Sequence, residues 1–396
     1  MAISTVLGQG MGGNEEGCDG KLSWTKRLPA IIGLSSLIAF AGVIAGNSSR
    51  DRPDFDDPSI RVVAALHEPI APQNSVIYCG TMQMAWTAAS EAFFANHPRF
   101  ENAPDLVKRL NEGRLTSNDI SSDAIFVWAA TDSTSTRQEI NKQLQSQFPD
   151  ADFEVPLDGQ MPSGLIAVAC LMKSLRFQEP FEKLTTPVRF DDGKTTSPVH
   201  AFGIDSFRPN DKRHAAIAKQ VEVVDYAGHG NFILRLKSNR DLDELILASV
   251  PPAPTLEETV HLVTERIKAA TPGQLIAEDE LSIPVVSIDK THRFDELVGL
   301  VEATSGLVIA EALQHVNFQL DETGASLKSS ARLGYLNGHR YFIFCKPFLI
   351  CLRQSNSNVP YFAMWVGSSS VLQAAPETRP QKPFEGSYKK VSEFLK

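Results

Sequence analysis

The sequence predicts an α+β fold in which helices accompany large, mostly antiparallel β-sheets. Amphipathic helical patterns fall in the first half of the chain, whereas short strands bounded by turn residues dominate the second half. The 396 residues are 42% hydrophobic and 21% charged, which is enough apolar material for one large domain or two of average size.

The charge balance and the cysteines exclude several classes of partner and site. The chain has 38 basic and 47 acidic residues, and its net charge of −9 argues against nucleic acid or anionic lipid as a partner. Its five cysteines are scattered without a CxxC pair, so neither a disulfide framework nor a metal site is predicted. Their odd number leaves at least one thiol free or paired between chains.

Residues 28–46 form an uncharged apolar segment that is long enough to cross a membrane as a helix. Basic residues precede it and aspartates follow it, so the positive-inside rule leaves residues 1–27 in the cytoplasm and places the rest outside the cell. A cleaved signal peptide, which would give a secreted protein, and a buried core helix are the alternatives. The leader's GQGMGG lacks the flanking strand and helix of a dinucleotide site, so no cofactor is predicted.

Apolar periodicity predicts the order of the elements. Ser59–Leu66 is predicted to open the domain as a helix, and a Thr255 capping box starts a later one. Three other segments are predicted as helices: Thr81–Phe94, Asp105–Leu110 and Arg137–Phe148. The strongest predicted strands are Asp123–Thr131, Leu165–Lys173, Leu281–Ile288, Val316–Leu320, Arg340–Phe344, Pro347–Leu352 and Pro360–Val366, with several shorter ones between residues 187 and 250.

No arrangement of residues predicts catalysis. GxSxG, HExxH and Walker motifs are absent from the sequence, and no two histidines are spaced i, i+4. His315 could act as a base, although a histidine held inside a sheet is the favoured interpretation. Cys79 has no basic neighbour in sequence that would lower its pKa, so it is predicted to be buried and inert. The chain is therefore not predicted to be an enzyme.

Several blocks occur in the order found in one protein family. Three lie near the end of the chain: HVNFQLDETGA from His315, KPFLICLR from Lys346 and YFAMWV from Tyr361. The others are the stretch from Leu165 to Gly193, DYAGHG from Asp225 and LSIPVVSI from Leu281. Together they resemble the serpins, a superfamily of serine protease inhibitors. The resemblance implies a serpin-like domain at residues 55–368, after a linker at 47–54 and before a polar tail at 369–396.

The resemblance also implies one large sheet that contains four of the predicted strands: Asp123–Thr131, Leu165–Lys173, Leu281–Ile288 and Val316–Leu320. The sequence departs from the family in two places. A serine-rich cluster that lies where the main sheet of serpins opens is here Tyr78-Cys79-Gly80-Thr81. Between Ala129 and Pro162 there is room for one helix, so the family's helix across that sheet has no counterpart.

In serpins a cleaved reactive loop inserts into the main sheet as a new strand. The resemblance places this loop at about residues 325–341, with Glu322 and Gly324 opening its hinge. The side chains that would be buried on insertion are Ala325, Leu327, Ser329 and Ala331, whereas Ser326, Lys328 and Ser330 would face outward. Leu327 is the one bulky residue among the inward positions, and overpacking there costs roughly 1–3 kcal/mol.

The scissile bond is predicted to fall within Tyr335, Leu336, Asn337, Gly338 and His339. Tyr335 or Leu336 would suit a serine protease with an apolar specificity pocket. A non-inhibitory binding or structural module of serpin fold on the cell surface is the alternative function, in which Leu333–His339 is an ordinary turn.

Overall fold

The computed structural model describes residues 57–94, 98–149, 154–157, 164–173, 175–205, 210–238, 243–276, 279–309, 311–323 and 340–376. The predicted leader and membrane segment lie outside these residues. So do the predicted hinge from Gly324 onward and the predicted scissile region. Among the described helices, none combines the length and the apolar character that a membrane span requires.

Most of the predicted helices are present, with ends within about three residues of those expected from sequence. The capping box at α5 is formed as predicted, because Thr255 Oγ1 accepts from the Glu258 N–H and Glu258 Oε2 accepts from the Thr255 N–H, both at 3.2 Å. The described α-helices are α1 (Thr81–Phe93), α2 (Asp105–Asn111), α3 (Thr134–Gln147), α4 (Lys212–Lys219) and α5 (Leu256–Ala269).

The described strands form two larger sheets and two two-stranded ribbons. In chain order they are β1 (Ile60–Val63), β2 (Ser75–Cys79), β3 (Ile125–Thr131), β4 (Leu165–Leu171), β5 (Glu182–Asp191), β6 (Thr196–Ile204), β7 (Val221–Gly228), β8 (Asn231–Lys237), β9 (Asp243–Ser249), β10 (Gly273–Gln274), β11 (Glu280–Pro284), β12 (Val286–Arg293), β13 (Leu313–Leu320), β14 (Tyr341–Ile343), β15 (Phe348–Gln354) and β16 (Phe362–Val366). The eight-stranded sheet has the order β1-β2-β16-β15-β9-β8-β7-β10, and the four-stranded sheet has the order β14-β11-β6-β5. The remaining pairs are β3–β4 and β12–β13. The predicted α+β class with large sheets is confirmed.

The eight-stranded sheet is buried on both faces, which explains its nearly continuous apolar strands. One face contributes to the main core, together with the four-stranded sheet and α1. On the other face, Ile246 and Trp365 pack with Leu256 and Val260 of α5.

The segment Ser59–Leu66 is not a helix, contrary to the prediction. Residues Ile60–Val63 form β1, which pairs in parallel with β2, and the Ser75 N–H donates to the Ser59 carbonyl at 2.6 Å. Three of the four residues of β1 are β-branched, namely Ile60, Val62 and Val63. Such residues favour a strand when the edge of another strand is available for pairing. Tertiary pairing with β2 therefore overrides the weak helical pattern.

The prediction of one large sheet is also wrong for the described strands. The Leu165 strand, β4, pairs with β3, whereas the Val316 strand, β13, pairs with β12 in a separate ribbon. The predicted strand Leu281–Ile288 is divided between two sheets, since its first part lies in β11 and its last part in β12. Between these strands, the Val285 N–H donates to the His200 carbonyl at 2.8 Å. Apolar runs show that strands are buried but do not show which neighbour each strand pairs with.

Residues 371–375, within the predicted polar tail, pack on the domain. Val371 and Leu372 are buried, and the Ala375 N–H donates to the Pro198 carbonyl at 3.0 Å.

Helix α3 covers the outer face of the β3–β4 ribbon. Its stripe of Ile140, Leu144 and Phe148 packs on Phe126 of β3 and, on β4, on Ile166, Val168 and Cys170. Between β3 and β4 the described residues contain one helix, α3, and this helix lies across the ribbon.

A buried ion pair fixes the start of α3. Arg137 donates to both carboxylate oxygens of Asp132, at 2.7 and 2.8 Å, and to the Pro156 carbonyl at 2.6 Å. The side chains of this pair are 3% and 0% exposed. Further along α3, Asn141 exchanges two hydrogen bonds of 2.8 Å with the backbone of Val155. These contacts tie the segment after α3 to the helix and so hold the helix on the ribbon.

We expect Arg137→Met to destabilise the domain by about 3–5 kcal/mol, because it leaves the Asp132 carboxylate buried without its cation. Lys142→Met is the matched control, since Lys142 and Glu139 form an exposed pair on the same helix, 74% and 43% exposed, and should cost less than about 0.5 kcal/mol. Urea unfolding of the two variants measures the difference. Equal losses of stability would show that the buried pair does not hold α3.

Candidate functional site

The strands β4 and β13 belong to separate two-stranded ribbons and do not pair with each other. Beyond the end of β4, the Phe181 N–H donates to the Glu322 carbonyl, just after β13, at 2.8 Å. Near the start of β4, the Asp132 N–H donates to the Gly164 carbonyl at 2.7 Å, and the positive charge of Arg137 acts to lower the pKa of Glu311, which burial raises. These contacts bring segments that flank β4 close to segments that flank β13. We call the space between these two strands the slot.

Two hydrogen bonds establish which backbone groups of β4 point into the slot. The Met172 N–H donates to the Ala124 carbonyl and the Asp132 N–H to the Gly164 carbonyl, so the even-numbered residues of β4 pair with β3. The backbone N–H and C=O groups of its odd-numbered residues therefore point into the slot, from Leu165, Ala167, Ala169 and Leu171. Ala167 and Ala169 are 1% and 0% exposed.

The same reasoning applies to β13. The Phe294 N–H donates to the Ala312 carbonyl at 2.8 Å, so the even-numbered residues of β13 pair with β12. Its slot-facing groups belong to Leu313, His315, Asn317 and Gln319. Among the described strands, none pairs with either edge. Within the described residues these two edges therefore offer backbone groups with which one further strand could pair.

The floor of the slot contains the altered cluster that the sequence singled out. Gln314 Nε2 donates to the Cys79 carbonyl at 2.9 Å and to Thr81 Oγ1 at 3.0 Å, which connects β13 to the start of α1. A Cβ atom at Gly80 would lie 2.0 Å from a Leu115 methyl carbon, so a larger residue here would have to displace that buried side chain. Burial raises the pKa of the Cys79 thiol, and Thr81 donates to its sulfur. This thiol is therefore a packing group and not a nucleophile.

His315 is held across the β12–β13 ribbon. Its Nδ1 lies 2.9 Å from Thr291 Oγ1 and its Nε2 lies 3.4 Å from Asp289 Oδ1. Burial lowers the pKa of His315 despite the Asp289 carboxylate. Of the two interpretations from sequence, the structure favours a histidine satisfied within a sheet.

Glu322 is the predicted hinge residue that the structure describes, and it is anchored at the end of β13. Its carboxylate lies 3.0 Å from Lys183 Nζ, while its carbonyl accepts the Phe181 hydrogen bond. Burial raises the pKa of the Glu322 carboxyl, although Lys183 acts in the opposite direction. Gly324, Ala325, Leu327, Ser329 and Ala331 lie outside the described residues, as do Tyr335 to His339.

The chain is anchored again where it returns at Arg340. Its guanidinium donates to the Asp279 carboxylate at 2.6 and 3.2 Å and to the Gln274 carbonyl at 3.0 Å. Asp279 is fully buried, and β14 then pairs in parallel with β11. Residues 324–339 thus connect two anchored points. The sequence analysis did not find Lys183, Gln314 or Asp279, because their partners are remote in sequence; the charge pattern alone gives no signal for such pairs.

Comparison with solved structures finds distant similarity in fold, and one of the similar proteins is a serpin. The chain is similar to human thyroxine-binding globulin in complex with thyroxine, with 12% identity and a TM-score of 0.45 over 75% of this chain and 93% of that one. It is similar to Serpin48, a highly specific serpin of the insect Tenebrio molitor, with 12% identity and a TM-score of 0.44 over 74% and 92%. Uncleaved ovalbumin gives 12% identity and a TM-score of 0.44 over 74% and 93%. No protein-family model and no curated protein matches the chain.

The Glu322 anchor should make stability depend on pH. Folding favours the protonated form of a carboxyl whose native pKa is raised, so the contribution of Glu322 to stability declines as pH rises from its ordinary pKa of 4.5 through the raised value. Glu322→Gln removes this titration. The stability of the variant relative to the wild type should therefore increase between pH 4 and pH 7, as measured by urea unfolding.

Glu302→Gln is the control with the opposite sign. Burial would raise the pKa of Glu302, but hydrogen bonds from Ser305, Arg99 and Thr304 outweigh burial and lower it. Its contribution to stability is lost as pH falls through the lowered pKa, so this variant should lose relative stability as pH rises. A Glu322→Gln curve that follows the Glu302→Gln curve would contradict the anchor.

Proposed function

We propose that this chain is a serpin-like inhibitor of serine-type endopeptidases. The observation that carries the proposal is that β4 and β13 are each paired on one edge only among the described strands, so that each can accept a further strand. The segment that would fill the slot begins directly after β13, at Glu322. A strand that turns back from this point runs antiparallel to β13 and can pair with both edges.

The inhibitory step follows from the chemistry of acyl transfer. The protease serine would attack a carbonyl within residues 335–339, and the peptide C–N bond would break to leave an acyl-enzyme ester. Cleavage frees the new carboxyl end from the Arg340 anchor, so residues from 325 onward can enter the slot and carry the ester with them. Inhibition results when insertion is faster than hydrolysis of the ester.

The slot supplies a substantial driving force for insertion. Eight residues along its two edges offer backbone hydrogen bonds, each with a net contribution of about 1 kcal/mol. Until the chain is cut, the Arg340–Asp279 pair and β14 hold the far end of the segment. The uncut chain is thus prevented from filling the slot completely.

The alternative is a binding or structural module of the same fold that inhibits no protease. The observation in its favour is Leu327, a bulky residue at an inward position of the predicted hinge. Against the alternative, Ala167 and Ala169 of β4 have small side chains, which would leave more space for a bulky residue in an inserted strand.

We expect cleavage within residues 335–339 by chymotrypsin or elastase to raise the melting temperature by tens of degrees, because each kcal/mol is worth about 2–4 °C at this size. An inhibitor also forms a detergent-resistant complex with the protease. An unchanged melting temperature with free turnover of the protease would favour the alternative. Leu327→Ala then distinguishes two causes of failure. The variant should form the complex if the bulky hinge residue blocks insertion, and it should still form none if the slot is altered.

Two loop variants test insertion directly. Ser329→Arg places a charge at an inward position and should convert the inhibitor into a substrate, because the charge would be buried without a partner. Ser330→Arg is the matched control at an outward position and should leave complex formation unchanged. Equal behaviour of the two variants in a gel assay of the complex would refute strand insertion.

We also propose that residues 28–46 anchor the chain in the membrane with the domain outside the cytoplasm. The asymmetry of charge around this segment supports the orientation. Protease treatment of intact cells should then remove the domain and spare residues 1–27. Release of the domain into the medium without protease would indicate the secreted alternative, and a protected domain would refute the orientation.

A further inference from the structure

Exposed apolar and aromatic side chains surround the point at which the chain returns at Arg340. Ile276 is 57% exposed, which is the largest exposed fraction among the exposed large hydrophobic residues of the described part of the chain. The ring of His229 meets that of Tyr341 edge to face, with centroids 6.3 Å apart. His229 is exposed, and Tyr226 and Tyr341 are half-buried. We call Tyr226, His229, Ile276 and Tyr341 the Arg340 patch.

The patch is built on a fixed support. The Arg340 guanidinium lies 5.9 Å from the centroid of the Tyr226 ring and binds the buried Asp279 carboxylate. The same carboxylate accepts a hydrogen bond of 2.7 Å from the Ile276 N–H, so one buried group positions both Arg340 and the turn that carries Ile276. The exposed side chains are therefore held in place before any partner arrives, which lowers the entropic cost of binding.

We propose that the Arg340 patch is a contact surface for the attacking protease, an inference that rests on the proposed function. Leu336 lies four residues before Arg340, so even a fully extended chain places its Cα within about 14 Å of Arg340. A protease domain is far larger than this distance, so the rim of an enzyme that holds residue 336 in its cleft is within reach of the patch. Because the patch is aromatic and aliphatic, it suits a rim of apolar side chains.

Ile276→Asp and His229→Ala test the patch. Each should lower the second-order rate of complex formation with chymotrypsin or elastase about tenfold, as loss of an interface contact worth about 1.4 kcal/mol does. The effect of His229→Ala should change little between low and high salt, because it involves no ion pair. Val301→Asp is the matched control: Val301 is 50% exposed but belongs to a different segment, where it bridges to Val308. All three variants should keep the wild-type melting temperature.

The outcomes separate this inference from the proposed function. If complexes form and the patch variants react as fast as Val301→Asp and the wild type, the patch is refuted and inhibition stands. If the wild type is cleaved without forming a complex, inhibition fails and the rate of cleavage becomes the measured quantity. Slower cleavage of the patch variants then supports the patch, and equal cleavage refutes it. If neither protease cleaves or binds within residues 335–339, both proposals are overturned.

Discussion

The backbone groups along the facing edges of β4 and β13 are the constraint on which the rest of the site depends. A buried N–H or C=O that has lost its water must find another partner, and the even-numbered residues of each strand find theirs within their own ribbon. The backbone groups of the odd-numbered residues face away from these partners, and in the proposed function an inserted strand pairs with them. Ala167 and Ala169 contribute small buried side chains on β4, and Gln314 connects β13 to the start of α1.

Two ion pairs anchor the chain on either side of residues 324–339. Glu322 pairs with Lys183 at the end of β13, and Arg340 pairs with the buried Asp279 before β14. Each pair places a charge where burial would be costly without its partner. In the proposed function, cutting the chain between them would release one end while Glu322 remains anchored at the end of β13. A local covalent event would thereby be converted into the addition of a strand.

Helix α3 changes what insertion has to overcome. In the family that the sequence resembles, a further helix lies across the main sheet, whereas here the Arg137–Asp132 pair holds α3 over β3 and β4. The outer face of the β12–β13 ribbon is instead polar, with His315, Thr291 and Asp289 contacting one another. A strand entering beside β13 would adjoin a face already suited to water, which agrees with the polar outward positions Ser326, Lys328 and Ser330 of the predicted hinge.

The sequence by itself determined the class of fold, the helices α1 and α5, most of the buried strands and the order of the blocks that resemble serpins. These follow from local periodicity, capping residues and burial, which a linear pattern records. Only the tertiary structure decided that Ile60–Val63 is an edge strand, that Leu281–Ile288 divides between two sheets, and that β4 and β13 belong to separate ribbons. It also decided the partners of Glu322 and Arg340. Strand pairing and ion pairing join residues far apart in the chain, and their choice of partner depends on the packing of the whole domain.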